Sequence, residues 1–173
     1  GGLPVPTPYG TIYSSNITPD PETGIGGWTE AAFVRAMREG INREGHHLYP
    51  AFPFDHFTHV TDDDNKALYA YLMTQVPVKA QPPANQLGFP FNVRGIMAGW
   101  DLLFLKQGLL AEDSSQSAEW NRGRYLVEGL GHCAACHTPR NSLGAEDSGQ
   151  SYAGGPVIDG WYVYPINDKS PAP

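Results

Sequence analysis

Gly131-His132-Cys133-Ala134-Ala135-Cys136-His137-Thr138-Pro139 decides how this chain is read. Two cysteines three apart with a histidine directly after them form the attachment pattern for a c-type haem. The reason is geometric. Two thiols at that spacing can add to the two vinyl groups on one porphyrin edge, and the next histidine supplies an axial imidazole to the iron. The small Ala134 and Ala135 keep the segment tight against the ring. The cysteines follow a predicted helix rather than open one, and no βαβ setting surrounds them, which disfavours a thioredoxin-like dithiol. A structural zinc site needs four ligands, and the chain has no second cysteine pair. A plain Cys133–Cys136 disulfide remains an alternative.

The chain around this motif has 173 residues, 40% of them hydrophobic. That is enough for one domain or two small ones, and it excludes wholesale disorder. The 20 glycines and 16 prolines predict short helices hung on long, stiff loops. A net charge of −7 leaves no electrostatic footprint for nucleic acid or anionic lipid. No window approaches the apolar length of a membrane span. The chain opens Gly1-Gly2 and closes Ser170-Pro171-Ala172-Pro173, termini that read as those of a processed or truncated piece.

Proline and glycine predict loop throughout 1–28. Thr29 as N-cap, Phe33, Val34 and Met37 at helical spacing, and Gly40 as a stop predict a helix over 29–39. Residues 41–60 read as loop. Four histidines there, His46, His47, His56 and His59, read as surface or capping residues, with an iron or metal site as the alternative. Thr61 followed by three aspartates predicts a helix over 62–75, with Ala67, Leu68, Tyr71 and Leu72 as its apolar stripe. Residues 76–97 read as an extended strap packed across a domain surface, and 98–106 as a short helix. Ser117 caps a third clear helix over 118–130, in which Gly123 predicts close approach of another helix. Met37, Met73 and Met97 all precede the cysteine motif. Met37 and Met73 read as core, so the sixth ligand of the iron is expected beyond Pro173.

A weak internal repeat links Gly154-Gly155-Pro156-Val157 through Tyr164-Pro165-Ile166-Asn167 to Gly1-Gly2-Leu3-Pro4-Val5 through Tyr13-Ser14-Ser15-Asn16. If the repeat holds, the chain begins partway through one domain and ends at the matching point of a second.

Several long runs carry a family likeness: Ser15-Asn16-Ile17-Thr18-Pro19-Asp20, Gly24-Ile25-Gly26-Gly27-Trp28, His47-Leu48-Tyr49-Pro50-Ala51, Ala67-Leu68-Tyr69-Ala70-Tyr71-Leu72, Ala98-Gly99-Trp100, and Asn121-Arg122-Gly123 through Cys133. Across nearly its whole length the sequence resembles the multi-haem cytochrome c subunits of membrane-associated bacterial dehydrogenases. These include the alcohol and gluconate dehydrogenase cytochromes and the cytochrome partners of molybdenum hydroxylases for aldehydes or nicotinate-like heterocycles.

The resemblance implies a mainly α fold of cytochrome c-like modules. Residues 1–75 would be the distal half of a first module, 76–116 a linker or strap, and 117–173 the front half of a second. It implies one covalent haem c on this chain, anchored by Cys133 and Cys136, with His137 as the iron ligand. Pro139 and Arg140 would shape the proximal side and a propionate contact. By the position of the internal repeat, Trp161, Tyr164 and Asn167 would line the haem edge, with plain core packing as the alternative for the aromatics. The implied role is electron transfer rather than enzymatic catalysis: electrons would pass from a partner dehydrogenase subunit toward a quinone or an oxidase at the periplasmic face of the inner membrane. Membrane association would come through other parts or partners. Rival readings are a haem enzyme such as a peroxidase, or a haem-free piece with a redox dithiol. One departure stands out. Where the alcohol and gluconate type carries an axial methionine after Tyr-Pro-Ala, this chain has Phe52, a form closer to the molybdenum-hydroxylase partners. A phenyl ring cannot ligate iron, so His47 and His56 become candidates for the first module's haem.

Overall fold

The computed structural model describes residues 1–158 and 160–171, and the chain divides into two compact units. The first comprises Gly1–Phe52 and Thr61–Leu105, and the second Pro53–Val60 and Lys106–Pro173.

In the first unit the expected helices form where capping chemistry places them. Helix α1 runs Glu30–Glu39, with the Thr29 hydroxyl accepting from the Ala32 amide at 3.1 Å. Gly40 ends it in the left-handed region at φ 63°. Phe33, Ala36 and Met37 are buried on its inner face, so Met37 is a core residue as its neighbours predict. Helix α3, Asp62–Met73 (α2, Phe54–Phe57, belongs to the second unit), starts at Thr61, whose hydroxyl accepts from the Asp64 amide. Its inner face is not the expected stripe. Asn65 is fully buried, Leu68, Tyr69 and Leu72 are half-buried, and Ala67 and Tyr71 are exposed. An aromatic anchor sets this rotation: the Tyr69 ring lies 5.6 Å from Phe33 and its hydroxyl donates to the Trp28 carbonyl at 2.8 Å.

The opening segment is not loop throughout. It forms a hairpin of β1, Pro4–Thr7, and β2, Gly10–Tyr13, with Pro4 opposite Tyr13 and Thr7 opposite Gly10. Strand β3, Gln86–Leu87, pairs antiparallel with β2, so the order is β1-β2-β3. Prolines fit this sheet because β1 is an edge strand, where a missing amide donor is tolerated. Gly10 sits at φ 125°, and a Cβ there would lie 2.1 Å from the Gln86 carbonyl oxygen. The fold therefore stays mainly helical, with a small sheet that the proline count hid.

The strap is fastened by side chains. Asn16 Nδ2 donates to the Val78 carbonyl at 2.8 Å, the Thr23 hydroxyl accepts from the Ala80 amide, and Asn85 Oδ1 accepts from the Tyr13 amide. Phe89 nonetheless stays 84% exposed. The following helix is α4, Ile96–Phe104, two residues earlier than expected, with Met97 and Trp100 buried.

In the second unit, a short helix α2, Phe54–Phe57, stands inside the segment expected to be loop. Phe54 and Val60 there are fully buried. Ser117 caps helix α5, Ala118–Tyr125, which widens into a π turn over Leu126–Leu130 instead of continuing as α-helix. The close crossing expected at Gly123 is absent: among the described residues nothing lies within 4 Å of where its Cβ would be. Gly129 is the buried glycine, with the His59 Cβ 3.7 Å from its Cβ position.

Thr29→Ala should lower stability by about 1 kcal/mol in urea unfolding, with Thr29→Ser close to wild type, because only the hydroxyl caps Ala32.

Candidate functional site

The cysteine motif folds as a short helix, α6, Cys133–His137, directly after the π turn. The cysteines thus both follow a helix and open one, which removes helix position as an argument about their chemistry. His132 precedes α6 in the left-handed region at φ 38°, edge-on to the Phe57 ring at 5.3 Å. That role was not legible from sequence, where His132 carries no pattern of its own.

On α6 the positions of Cys133, Cys136 and His137 are i, i+3 and i+4, so all three share one face. Both thiols are free; Cys133 is half-buried and Cys136 exposed. His137 Nδ1 lies 2.7 Å from the Tyr164 carbonyl oxygen. A carbonyl only accepts, so Nδ1 carries the hydrogen and Nε2 keeps a lone pair for a metal. The expected roles of the neighbours become specific. Arg140 donates to the Ala135 carbonyl at 2.6 Å and to the Gly144 carbonyl at 3.3 Å, bracing α6 against the loop that follows. The Pro139 carbonyl accepts from the Asp147 amide at 2.8 Å and closes that loop. Thr138, 1% exposed, accepts from the Tyr152 amide.

Gly154 and Gly155 press on the same helix. Gly154, at φ 99°, donates to the His137 carbonyl at 2.9 Å. A Cβ on Gly155 would fall 1.7 Å from the Cys136 carbonyl oxygen. The run beyond them holds Trp161 at 78% exposure and Tyr164 at 57%, which excludes plain core packing for both. Val157, Tyr162 and Ile166 are exposed beside them. An open cavity of about 460 Å³ is lined by Tyr164, Pro165, Ile166, Ser170 and Pro171. Asn167 accepts from the Lys169 amide and donates to Ser151, and its turn resembles that of Asn16 with the Thr18 amide.

These residues fit a haem. Two free thiols and an imidazole with an open Nε2 share one face, and the unit presents an apolar run of the kind that buries a large ligand. They do not fit structural zinc at the cysteines. Among the described residues the only grouping of metal-ligating side chains is Asp55, His56 and Glu146.

Of the four upstream histidines, His56 is not a surface residue. It is 8% exposed, with Nδ1 2.9 Å from the Glu128 carbonyl and Nε2 2.7 Å from Glu146 Oε1. His59 Nδ1 lies 2.6 Å from the Gly108 carbonyl. In the first unit, His47 Nδ1 lies 2.6 Å from Asp101 Oδ2. Burial opposes protonation of His56, but the bond to Glu146, the charges of Glu146 and Asp55, and the Glu128 carbonyl raise its pKa above the ordinary imidazole value. Burial, with Glu146 beside it, also pushes the Asp55 carboxyl up.

No family model matches the chain. It is 60% identical over 96% of its length to a nicotinate dehydrogenase subunit of Pseudomonas putida, of which it spans 14%. It is 46% identical over 92% of its length to a diheme cytochrome c-type protein of Cereibacter sphaeroides, spanning 54% of that protein. It is 45% identical over 93% of its length to the fructose dehydrogenase cytochrome subunit of Gluconobacter japonicus, spanning 33% of it. The chain thus covers at most about half of these relatives. Cytochrome c subunits of alcohol and gluconate dehydrogenases match as well, so the resemblance read from the sequence holds.

Two outcomes are expected. Gly155→Ala should destabilise the second unit by more than about 2 kcal/mol, read by thermal unfolding, since backbone must move to admit the methyl. His56 and Asp55 hold protons more tightly folded than unfolded, so their stabilisation is present at low pH. For His56 it is complete below about 6.5 and lost as pH rises through the raised folded pKa. Urea midpoints measured in EDTA should therefore fall as pH rises above about 6.5, and His56→Gln should flatten that slope.

Proposed function

We propose that this chain, homologous over more than nine-tenths of its length to cytochrome subunits of fructose, alcohol and gluconate dehydrogenases, is an electron-transfer segment carrying one covalent haem c. The observation that carries the proposal is the joint placement of Cys133, Cys136 and His137 on one face of α6, with His137 Nδ1 held by the Tyr164 carbonyl.

Cys133 and Cys136 would hold the haem through their sulfurs, and His137 Nε2 would ligate its iron. The bound group supplies a one-electron ferric–ferrous couple. The Tyr164 carbonyl fixes the imidazole tautomer and ring angle and raises the basicity of Nε2. Arg140 and Pro139 keep the proximal loop closed, so the helix face does not shift as charge changes. Trp161 and Tyr164 form the apolar edge that excludes water, and Asn167 pins the end of that run to Ser151. Met37 and Met97 are core residues of the first unit, and Met73, expected as core, is half-buried at the end of α3.

The parent protein follows the modular plan of 1–75, a strap over 76–116, and 117–173 as the haem-bearing front half of a second module. The paired Asn16 and Asn167 turns support that plan. The chain is a relay and not a catalytic subunit. It takes electrons from a dehydrogenase subunit and passes them to a quinone or an oxidase at the periplasmic face of the inner membrane. Among the described residues no helix is long and apolar enough to cross a membrane. Attachment comes through other parts or partners. Phe52 and the similarity to the nicotinate dehydrogenase protein favour a partner acting on a nicotinate-like heterocycle.

The test is the reduced spectrum in alkaline pyridine after expression with a periplasmic haem-ligation system. One c-type haemochrome per chain is expected, and the double variant Cys133→Ala, Cys136→Ala should release its haem to acidified organic solvent. Absence of the band in the unmodified chain would refute the proposal.

A further inference from the structure

We infer that Asp55, His56 and Glu146 form a binding site for one divalent transition-metal cation, apart from the haem-motif residues. Their donor atoms, one from each side chain, lie within 4.8 Å of one another. Asp55 and His56 come from α2 and Glu146 from the loop after α6, so the site joins two stretches of the second unit.

The donor set asks for a cation. The Glu128 carbonyl lies 2.9 Å from His56 Nδ1 and can only accept, which places the hydrogen there and leaves Nε2 as a lone pair in the neutral ring. That lone pair then faces Glu146 Oε1 at 2.7 Å, with the Asp55 carboxylate beside it. Two carboxylates and a nitrogen lone pair repel unless a positive charge stands among them. The nearest fixed cation, Arg140, is 3.8 Å from Glu146 Oε1 and also donates to the Ala135 carbonyl, so it offsets one of the two negative charges. A proton on Nε2 is one solution and a metal ion the other.

Metal geometry admits the second solution with a small movement. Ligands about 2.0–2.1 Å from a zinc ion lie roughly 3.3 Å apart in a tetrahedral shell. The 2.7 Å contact needs to open by about half an ångström to admit the ion. One imidazole and two carboxylates suit zinc and its neighbours rather than calcium or magnesium, which take oxygen ligands alone. An imidazole held through its other nitrogen by a backbone carbonyl is the usual support of a metal-binding histidine. Water would complete the shell, since only three protein ligands are present.

The inference does not depend on the haem. It is tested by calorimetric titration of the isolated chain with zinc sulfate, after any free thiols are capped with iodoacetamide to block Cys133 and Cys136. One zinc per chain with a micromolar or tighter Kd is expected. His56→Gln and Glu146→Gln should each weaken binding by at least about 100-fold, with circular dichroism confirming that the variants fold. Zinc-edge X-ray absorption of the unmodified complex should show a single imidazole among oxygen ligands. Absence of stoichiometric binding in the unmodified chain would overturn the inference, whatever the variants do. So would binding that survives in folded His56→Gln, or a spectrum with two or more imidazoles, which would place the ion elsewhere.

Discussion

The hydrogen bond from His137 Nδ1 to the Tyr164 carbonyl spans 27 residues, and the geometry of the second unit is arranged to keep it. For the chain to return to α6 at that point, residues 154 and 155 must pass over the carbonyls of Cys136 and His137. The passage admits no Cβ at 155 and requires a left-handed backbone at 154. Glycine is the residue that meets both demands without strain. The loop between is in turn closed by Pro139, Thr138 and Arg140, each spending a polar group on backbone rather than on another side chain.

The same device recurs through the molecule and explains how so loop-rich a chain holds a fixed shape. Asn42 and Asn141 organise matching turns, each accepting from the amide four residues on, at His46 and Ala145. Asn16, buried at 4% exposure, ties its own turn to the strap at Val78. Buried backbone groups must find partners, and where helices and sheets are short these side chains supply them. The metal-ligating cluster depends on the Asn141 turn, which brings Glu146 opposite Arg140 in an isolated bridge and so within reach of His56.

How much of this was legible in the sequence depends on the range of the interaction. Caps are local, so Thr29, Thr61 and Ser117 started their helices where expected. The cysteine motif is also local, and its three residues share a face because their spacing is helical. The hairpin over 4–13 was hidden because proline signals loop until one knows that its strand lies at an edge. The inner face of α3 was only partly foreseen: Leu68 and Leu72 are half-buried as expected, but Tyr69 joins them through Phe33 and Trp28 while Ala67 and Tyr71 stay exposed. The glycine at the buried approach was Gly129 and not Gly123, a choice fixed by the π turn and the placement of His59. His56 looked like a surface residue because its partners, Glu128 and Glu146, lie 72 and 90 residues away. Spacing cannot report a pairing at that distance.

The central claim is that α6 presents two thiols and one imidazole nitrogen to a single haem. Its most direct test is mass spectrometry of the proteolytic peptide containing Cys133–His137, taken from chain matured in the periplasm with haem-ligation machinery. The account predicts one peptide carrying one haem bound through both sulfurs. A peptide with both cysteines unmodified, or joined to each other as a disulfide, would contradict it.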